Sequence, residues 1–446
     1  MPVSGGRRHT ILSWFGQRTV EALALLRTRT ARQAFLIAAV NFASAILRFV
    51  VTILMAKILS PEGWGNVAVF IALMDVISIL CDSGVNATLV RFVAAEADSR
   101  ATTIFGRCFS IKSANAATLV LVLWVLRRPI LENQQFPQEL HWLYPVAIAA
   151  GVLLSFHSLA LSMFQAKQEF GRYSFTYLSV NTVRMLGLGT LLMLGTLTLP
   201  AVTASFFSAP AAAFALALPL LFLTLRRSAA LPRPAVSLSA MLLFMAPLAL
   251  MNAITIGNMR VSNFMLKTLA SPEAVANYEL AYQIGFVFPL LTSALFTVLL
   301  PRVSAMQSRD ELRSYRARLL RMYPIVLGMT LAGVLIGPWF IAVVFGAKYA
   351  ASLAIVRLLI IGFGIHIITQ PMSLVFYAAS RPAYLTAIYS AQFAVIIVLN
   401  YFFIPRWGGM GAALTVLIAT LLAVFAIITL SGWVIRNLPR DHRAAD

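Results

Sequence analysis

The sequence predicts an all-α polytopic membrane protein with about 12 transmembrane helices, arranged as two parallel-repeat six-helix bundles with both termini in the cytoplasm. Three observations predict this fold: the composition, the spacing of the apolar runs and an internal repeat. Of the 446 residues, 60% are hydrophobic and 11% are charged, and the mean hydropathy is +0.85. A water-soluble domain has about a quarter of its residues charged, so the composition excludes an ordinary soluble protein. It also excludes intrinsic disorder, which requires low hydrophobicity.

Apolar runs define the individual elements, because a helix needs about twenty apolar residues to cross the hydrocarbon core of a bilayer. Loops with charged or turn-forming residues separate these runs. The strands of a membrane barrel would instead alternate apolar and polar residues over about ten positions, so we expect every span to be helical. The predicted spans, in order, are 33–56, 66–90, 105–126, 143–166, 173–196, 200–225, 238–266, 276–300, 322–345, 351–377, 383–404 and 410–435.

The basic residues orient these spans, because Lys and Arg collect on the cytoplasmic side of a membrane. The N-terminal segment, the even-numbered loops and the C-terminus together hold 25 basic residues, the odd-numbered loops hold 6, and 4 lie inside spans. This distribution predicts cytoplasmic termini. It also accounts for most of the net charge of +20, so nucleic acid is not expected as a partner.

The segments outside the spans define the remaining domains. Residues 1–32 lack a signal-peptide pattern, and we expect a cytoplasmic leader that either lies on the inner leaflet as a helix or is simply solvated. The other predicted units are an N-terminal bundle at 33–225, a cytoplasmic linker at 226–237, a C-terminal bundle at 238–435 and a cytoplasmic tail at 436–446.

An internal repeat appears when the chain is shifted by 211 residues, which aligns Ser60-Pro61-Glu62 with Ser271-Pro272-Glu273. Six spans separate the copies, so both would enter the membrane in the same direction. Parallel repeats are a transporter architecture, with the substrate site at the interface of the two halves. The same shift also aligns Asn41 with Asn252, Asn66 with Asn277, and Arg91 with Arg302.

Polar residues at helical spacing mark the first two spans. Arg48 and Asp75 lie 13 and 14 residues from the turn at Pro61, so they can meet at one depth between antiparallel helices. Spans seven and eight carry a corresponding polar face with Arg260 and Glu279. The two stripes of the first half are Asn41, Ser44, Arg48 and Thr52 on the first span, and Asp75, Ser78, Asp82 and Asn86 on the second.

An ionisable side chain near the bilayer centre usually faces a protein interior or a wet cavity. We therefore interpret the intramembrane arginines as lining one cationic, water-filled cavity between the halves. The competing interpretation is that Arg48 with Asp75, and Arg260 with Glu279, are buried ion pairs that fix helix register. The predicted substrate-binding residues are Arg48, Arg184, Arg260, Asn41, Asn252 and Asn258, and the predicted coupling or ion-pair residues are Asp75, Asp82, Glu279 and His366.

Two of these residues carry particular weight. Arg184 has no obvious acidic partner on neighbouring spans, which makes it the most informative of the four intramembrane arginines. His366 could carry a proton, although a lone histidine in a membrane helix is also compatible with a packing role.

Motifs for covalent chemistry are absent from the sequence: there is no nucleophile motif, no metal-ligand spacing, no phosphate-cradling glycine loop and no Walker lysine. We therefore predict no catalytic residues, no metal and no cofactor. Energy for transport would come from an ion gradient, the membrane potential or the gradient of the substrate.

The stretch from Leu54 to Glu96 resembles the polysaccharide transport proteins, the O-antigen and exopolysaccharide flippase type. That family has a short turn after the first span and a characteristic end to the second, and a further motif lies between the last two spans. The matching residues are Leu59, Pro61, Glu62 and Gly65 in the turn, Asp82, Gly84, Leu89, Val90 and Arg91 in the ending, and Leu399, Asn400, Ile404, Pro405, Gly408, Gly411, Ala412 and Ala413 late in the chain.

The resemblance implies the fold of the multidrug/oligosaccharidyl-lipid/polysaccharide exporter superfamily. It also implies a flippase that moves a polyprenyl-pyrophosphate-linked oligosaccharide across the bacterial inner membrane by alternating access. A pyrophosphate would give the cavity arginines a role, because arginine binds phosphate oxygens bidentately. The partners expected on this basis are the lipid-linked oligosaccharide, membrane lipids, and the glycan polymerase and glycosyltransferase machinery, with the chain itself a monomer.

Two alternatives remain open at this point. A cation-coupled multidrug exporter of the same superfamily should have a cavity that favours carboxylates over arginines, because its substrates are cationic. An integral membrane glycan polymerase or ligase would need a large outer loop with a basic catalytic cluster, and the sequence contains no such loop.

Overall fold

The computed structural model describes residues 29–95, 101–227, 237–304, 306 and 308–438. Most of the predicted leader, the linker residues 228–236 and the tail from residue 439 lie outside the described residues. Predictions for those segments stay predictions.

Helices dominate the described part of the N-terminal half, and most of their ends lie at the loops expected from the sequence, although the second predicted span contains a break at residues 83–84. A 3₁₀ turn at Gln138–Leu140 is the other regular element in this half. The helices are α1 (Arg29–Ile58), α2 (Pro61–Asp82), α3 (Val85–Ala95), α4 (Ala101–Val125), α5 (Arg127–Asn133), α6 (Leu143–Ala166), α7 (Phe170–Met193) and α8 (Leu199–Arg227).

The described part of the C-terminal half is also helical, with a 3₁₀ turn at Gly346–Tyr349. Its longest helix contains a kink at Gly408, where φ is 51° and ψ is −129°. The helices are α9 (Leu238–Leu269), α10 (Pro272–Gly285), α11 (Val287–Ser304), α12 (Arg309–Arg321), α13 (Tyr323–Phe345), α14 (Ser352–Met372), α15 (Leu374–Ala378) and α16 (Ala383–Arg436).

Nine helical segments within the described residues are long and apolar enough to cross a membrane. This confirms a multi-pass, all-α membrane protein. A helix covers each of the twelve predicted spans, but α7 and the α10–α11 segment are not among the nine, and the last two spans form one segment across the Gly408 kink. The count of twelve and the cytoplasmic termini therefore stay predictions.

The repeated Ser-Pro-Glu motif begins a helix in both halves. Ser60 Oγ accepts a hydrogen bond from the Gly63 amide at 3.0 Å, and Ser271 Oγ accepts one from the Ala274 amide at 3.2 Å. Each serine is thus the N-cap of a helix whose first residue is proline, where the missing N–H costs no helical hydrogen bond. The two copies of the motif therefore have the same structural role, which is to cap the N-terminus of a helix.

The two halves meet mainly where α2 packs along α9 and α10. Gly65 on α2 lies against the backbone of Pro272, so close that a Cβ at position 65 would overlap the Pro272 carbonyl. Nearby, Lys348 Nζ donates to the Ala56 carbonyl at 2.9 Å, and the Tyr349 hydroxyl donates to the same oxygen at 3.0 Å. These contacts close the end of the molecule that the sequence predicts to face outward.

The second span is broken between α2 and α3. Ser83 has a φ of 43° and Gly84 a φ of 81°, both in the left-handed region that favours glycine. Gly84 also packs against the C-terminal half, because a Cβ there would lie 2.8 Å from the Leu248 Cβ. The break between α2 and α3 thus lies where the chain packs closely against α9.

We predict that Gly65→Ala destabilises the protein by about 1–3 kcal/mol, the usual cost of overpacking, because the new Cβ has no space beside Pro272. Gly106→Ala is the matched control: it lies in α4 with no atom within 4 Å of its Cβ position, and alanine gains up to about 1 kcal/mol over glycine in a helix. Thermal unfolding in detergent measures both. Equal melting temperatures for the two variants would contradict the close approach of the halves.

Candidate functional site

A cavity of about 240 Å³ opens between α1, α2, α6, α7, α8 and α10, and we call it the arginine cavity. Most of its wall comes from the N-terminal half, and the C-terminal half contributes Glu279 and Gln283. The sequence predicted a cavity between the halves, so its placement largely within one half is a correction. Its polar and aromatic lining includes Ser44, Arg48, Thr52, Trp64, Asp75, Ser78, His157, Ser158, Tyr177, Asn181, Arg184 and Phe206.

The polar stripe on α1 faces this cavity as predicted, except at its first member. Ser44, Arg48 and Thr52 line the wall, whereas Asn41 is exposed and lines none of the described openings. The Arg48 side chain is 44% exposed, and its Nη2 lies 3.7 Å from Asp75 Oδ2. Arg48 is therefore a partly exposed charge in the cavity wall rather than a buried one.

Arg260 does not line the arginine cavity. Its side chain is 2% exposed and lies between two carboxylates: Nη2 donates to Asp75 Oδ2 at 2.5 Å, and Nη1 donates to Glu279 Oε1 at 3.3 Å. The prediction of Arg260 as a cavity-lining residue is wrong in position. A guanidinium this deeply buried is costly unless it is paired, and it takes both acidic residues of the region as partners.

Glu279 is held in place by its own half of the protein. Asn263 Nδ2 and Gln283 Nε2 each donate to its carboxylate at 2.7 Å, in addition to Arg260. The Arg260–Glu279 ion pair, which the sequence supported only as the competing interpretation, is therefore present. The sequence did not predict that Asp75, 185 residues away, joins it from the other half.

Arg184 is 6% exposed and lines the cavity, as expected for a buried intramembrane arginine. Its Cζ lies 3.9 Å above the Phe206 ring, and Nη1 donates to Asn181 Oδ1 at 3.4 Å. Within the described residues no carboxylate forms a salt bridge with it, and its Nε has no hydrogen-bond partner. Three guanidinium groups thus share two carboxylates, and one positive charge is in excess.

Asn181 belongs to this site, although the sequence analysis did not select it. It lies one helical turn before Arg184 on α7 and also donates to Ser44 Oγ at 2.9 Å. Its spacing of three residues from Arg184 was a usable signal, because residues three apart share a helix face.

A second opening of about 300 Å³ adjoins the arginine cavity and shares Ser78 and Ser158 with it. We call it the polar annex. Asn252, a predicted substrate-binding residue, lies here instead of in the arginine cavity. The other polar residues of the annex are Asp82 and Asn86 from the N-terminal half and Thr255 from α9.

Lys112 is one of the 25 basic residues that the loop count assigns to the cytoplasmic side, and that assignment is wrong. Its side chain is fully buried in the interior of the N-terminal half. Its Nζ lies 3.1 Å from Asp82 Oδ1 and donates to Asn86 Oδ1 at 2.9 Å and the Ser155 carbonyl at 2.8 Å. The available signal was that residue 112 lies inside the predicted third span.

The remaining predicted residues lie apart from both openings. Asn258 Nδ2 donates to the Tyr389 carbonyl at 3.2 Å. His366 is half-buried, with Nδ1 3.4 Å from the Thr369 hydroxyl on its own helix, a contact that suits packing. Across the described ranges, no group of three or more His, Cys, Asp or Glu side chains could hold a metal ion.

A family model described as "Polysaccharide biosynthesis protein" matches residues 30–307, which is more than half of the chain. No curated protein matches the chain.

Solved structures share the fold at low sequence identity. A lipid II flippase MurJ in an inward closed conformation superposes with a TM-score of 0.70 at 15% identity, covering 89% of this chain and 87% of that one. An inward-facing multidrug resistance MATE family transporter of the MOP superfamily gives 0.72 at 11% identity, covering 90% and 98%. The Vibrio cholerae MATE transporter VcmN in its bent form gives 0.56 at 15% identity, covering 91% and 98%. The chain therefore has the fold of these membrane transporters.

The Asp82–Lys112 pair generates a stability prediction. Asp82→Asn leaves a fully buried ammonium without its counter-charge, which costs about 3–5 kcal/mol when a buried pair is broken. Lys112→Met leaves Asp82 beside an opening that water can reach, so we expect a smaller loss. The double variant Asp82→Asn/Lys112→Met should recover much of the loss caused by Asp82→Asn alone. Thermal unfolding in detergent measures all three, and purely additive losses would contradict the pairing.

Proposed function

The chain belongs to the family of polysaccharide biosynthesis proteins, and on that premise we propose that it is a flippase for a polyprenyl-pyrophosphate-linked oligosaccharide. In this proposal it crosses the bacterial inner membrane twelve times, with both termini cytoplasmic and the two bundles at 33–225 and 238–435. Its halves rock to expose the arginine cavity to each side in turn. The headgroup crosses in the cavity while the polyprenyl tail stays in the lipid.

The observation that carries the proposal is the unpaired guanidinium of Arg184. A buried cation without a carboxylate is unfavourable, so its retention in the cavity wall calls for an external anion. Phe206 covers one face of the guanidinium, Nη1 donates to Asn181 Oδ1 at 3.4 Å and Nη2 donates to Met74 Sδ at 3.7 Å. The second N–H of each of these two nitrogens is left to bind an anion. Phosphate oxygens match that arrangement, because arginine donates to them in pairs.

Arg48 can supply the second donor group. Asp75 already accepts from Arg260 at 2.5 Å, whereas Arg48 lies 3.7 Å from the same oxygen and its side chain is 44% exposed. Arg48 can therefore turn to a phosphate without leaving Asp75 unpaired. A pyrophosphate carries two phosphoryl groups, and two arginines on facing helices suit it.

The same charges disfavour a cation-coupled multidrug exporter. Such a cavity needs a carboxylate free to attract a cationic drug. Both acidic residues of the arginine cavity, Asp75 and Glu279, are occupied by Arg260. We further propose that the protein is a monomer. We also propose that it works with glycosyltransferases, which make a lipid-linked oligosaccharide, and with a glycan polymerase, which uses one.

We expect Arg184→Ala and Arg48→Ala each to weaken binding of a polyprenyl pyrophosphate by about 10-fold or more, since a hydrogen bond to a charged group contributes about 1.5–3 kcal/mol. Glycan export in cells should fall accordingly. Arg184→Lys should restore only part of the affinity, because lysine lacks the planar fork of donors. Equilibrium binding to purified protein in nanodiscs measures the effect.

Arg357→Ala is the matched control for these variants. Arg357 is also an intramembrane arginine, but it is exposed and lines none of the described cavities. Normal export by both Arg184→Ala and Arg48→Ala would remove the arginine cavity from the mechanism.

A transport assay separates the two exporter functions. We expect proteoliposomes containing the protein to move a fluorescent lipid-linked oligosaccharide between leaflets and to leave a cationic dye gradient unchanged. Efflux of the dye, sensitive to Asp75→Asn and without movement of the lipid, would instead establish the multidrug function.

A further inference from the structure

We propose that the polar annex binds a sugar residue of the oligosaccharide while the arginine cavity holds the pyrophosphate. This inference rests on the proposed function and assigns the glycan part of the substrate to a second, adjoining site. The annex is lined by Ser78, Ile79, Asp82, Asn86, Ser158, Asn252 and Thr255.

The position of the annex fits a group attached directly to the pyrophosphate. Ser78 and Ser158 form a wall common to both openings. Along α2, Asp82 lies seven residues beyond Asp75, which is about 10 Å at 1.5 Å per residue. This direction leads toward the predicted cytoplasmic side, from which the glycan would enter.

The charge of the annex favours a neutral ligand. Lys112 Nζ lies 3.1 Å from Asp82 Oδ1, so an ammonium already cancels the carboxylate charge. A metal cation would be repelled by that ammonium, and a second phosphate by the carboxylate. Apart from Ile79, the other annex side chains are amides and hydroxyls, which hydrogen-bond sugar hydroxyl groups.

The hydrogen bonds within the annex leave specific atoms available. Asn86 is fixed on both sides, because its Nδ2 donates to Ser158 Oγ at 2.8 Å and its Oδ1 accepts from Lys112. Asp82 Oδ1 accepts a hydrogen bond from the backbone N–H of Asn86 at 3.1 Å. Among the described residues, Asp82 Oδ2 and the Asn252 side-chain amide have no hydrogen-bond partner, so an acceptor and a donor–acceptor pair face the opening.

The annex also spans the boundary between the halves. Asn252 and Thr255 belong to α9, whereas Asp82 and Ser158 belong to the N-terminal half. A sugar bound here would contact both halves at once, and rocking of the halves would break one set of contacts. Groups that hydrogen-bond a substrate hydroxyl discriminate strongly against ligands that lack it, so the annex would select among glycans.

The test compares two probes: a polyprenyl pyrophosphate, and lipid-linked oligosaccharide extracted from the cells that make the protein. We expect Asn252→Ala to weaken binding of the glycan-bearing lipid by about 3- to 10-fold, the loss of one or two hydrogen bonds, and to change binding of the bare lipid by less than 2-fold. Arg184→Ala should weaken binding of both lipids. Thr255→Val, which removes a neighbouring hydroxyl from the same wall, provides a second variant with the same expected selectivity.

Asn115→Ala is the matched control, because Asn115 is a half-buried asparagine of α4 that lines neither opening. Equal effects of Asn252→Ala and Thr255→Val on the two lipids, or no effect on either, would overturn the inference and leave the proposed function intact. If the Asn252 and Thr255 variants changed the sodium dependence of lipid binding without distinguishing the two lipids, the annex would be a cation site and the inference would be overturned. Failure of the unaltered protein to bind either lipid would overturn the proposed function itself.

Discussion

A buried charge in an apolar bundle needs a partner, and the Asp75–Arg260–Glu279 arrangement meets that constraint for the centre of this protein. Arg260 and Glu279 belong to the C-terminal half and Asp75 to the N-terminal half, so one guanidinium joins α2, α9 and α10. Because Arg260 takes both carboxylates, Arg184 is left with its charge unmatched. The pairing of Arg260 with Asp75 and Glu279 therefore both joins the two halves and leaves the arginine cavity with a positive charge.

The same arrangement is compatible with motion between the halves. Asp75 lies within 4 Å of an arginine of its own half, Arg48, as well as of Arg260. If the halves separated at this level, each would keep a complete ion pair: Arg48 with Asp75, and Arg260 with Glu279. No charge would be stranded, which matters because an unpaired buried charge costs several kcal/mol. The surplus charge on Arg184 persists in either arrangement.

Local periodicity made part of this site predictable from the sequence, and long-range packing made the rest unpredictable. Residues at helical spacing share a face whatever surrounds the helix, so the stripes containing Arg48 and Asp82 do line openings. The contact of Asp75 with Arg260 depends on how α2 packs against α9, which no local pattern records. A charge count treats a lysine near a loop as solvated, whereas Lys112 is buried and pairs with the partly exposed carboxylate of Asp82.

The two halves share a capping turn but not their arginines, and the arginine cavity lies mainly in the N-terminal half. Both halves have the capping turn, at Ser60 and at Ser271, and each turn begins a helix at the interface between the halves. The arginines of the cavity have no counterpart in the C-terminal half. The shift of 211 residues that aligns the turns puts Met259 at the position of Arg48 and Val395 at that of Arg184. A symmetric pair of cavities would place several unmatched guanidinium groups in the bilayer, each at a cost of several kcal/mol. With the surplus charge confined to the N-terminal half, the C-terminal half supplies the arginine that occupies Asp75, and that occupation keeps the cavity cationic.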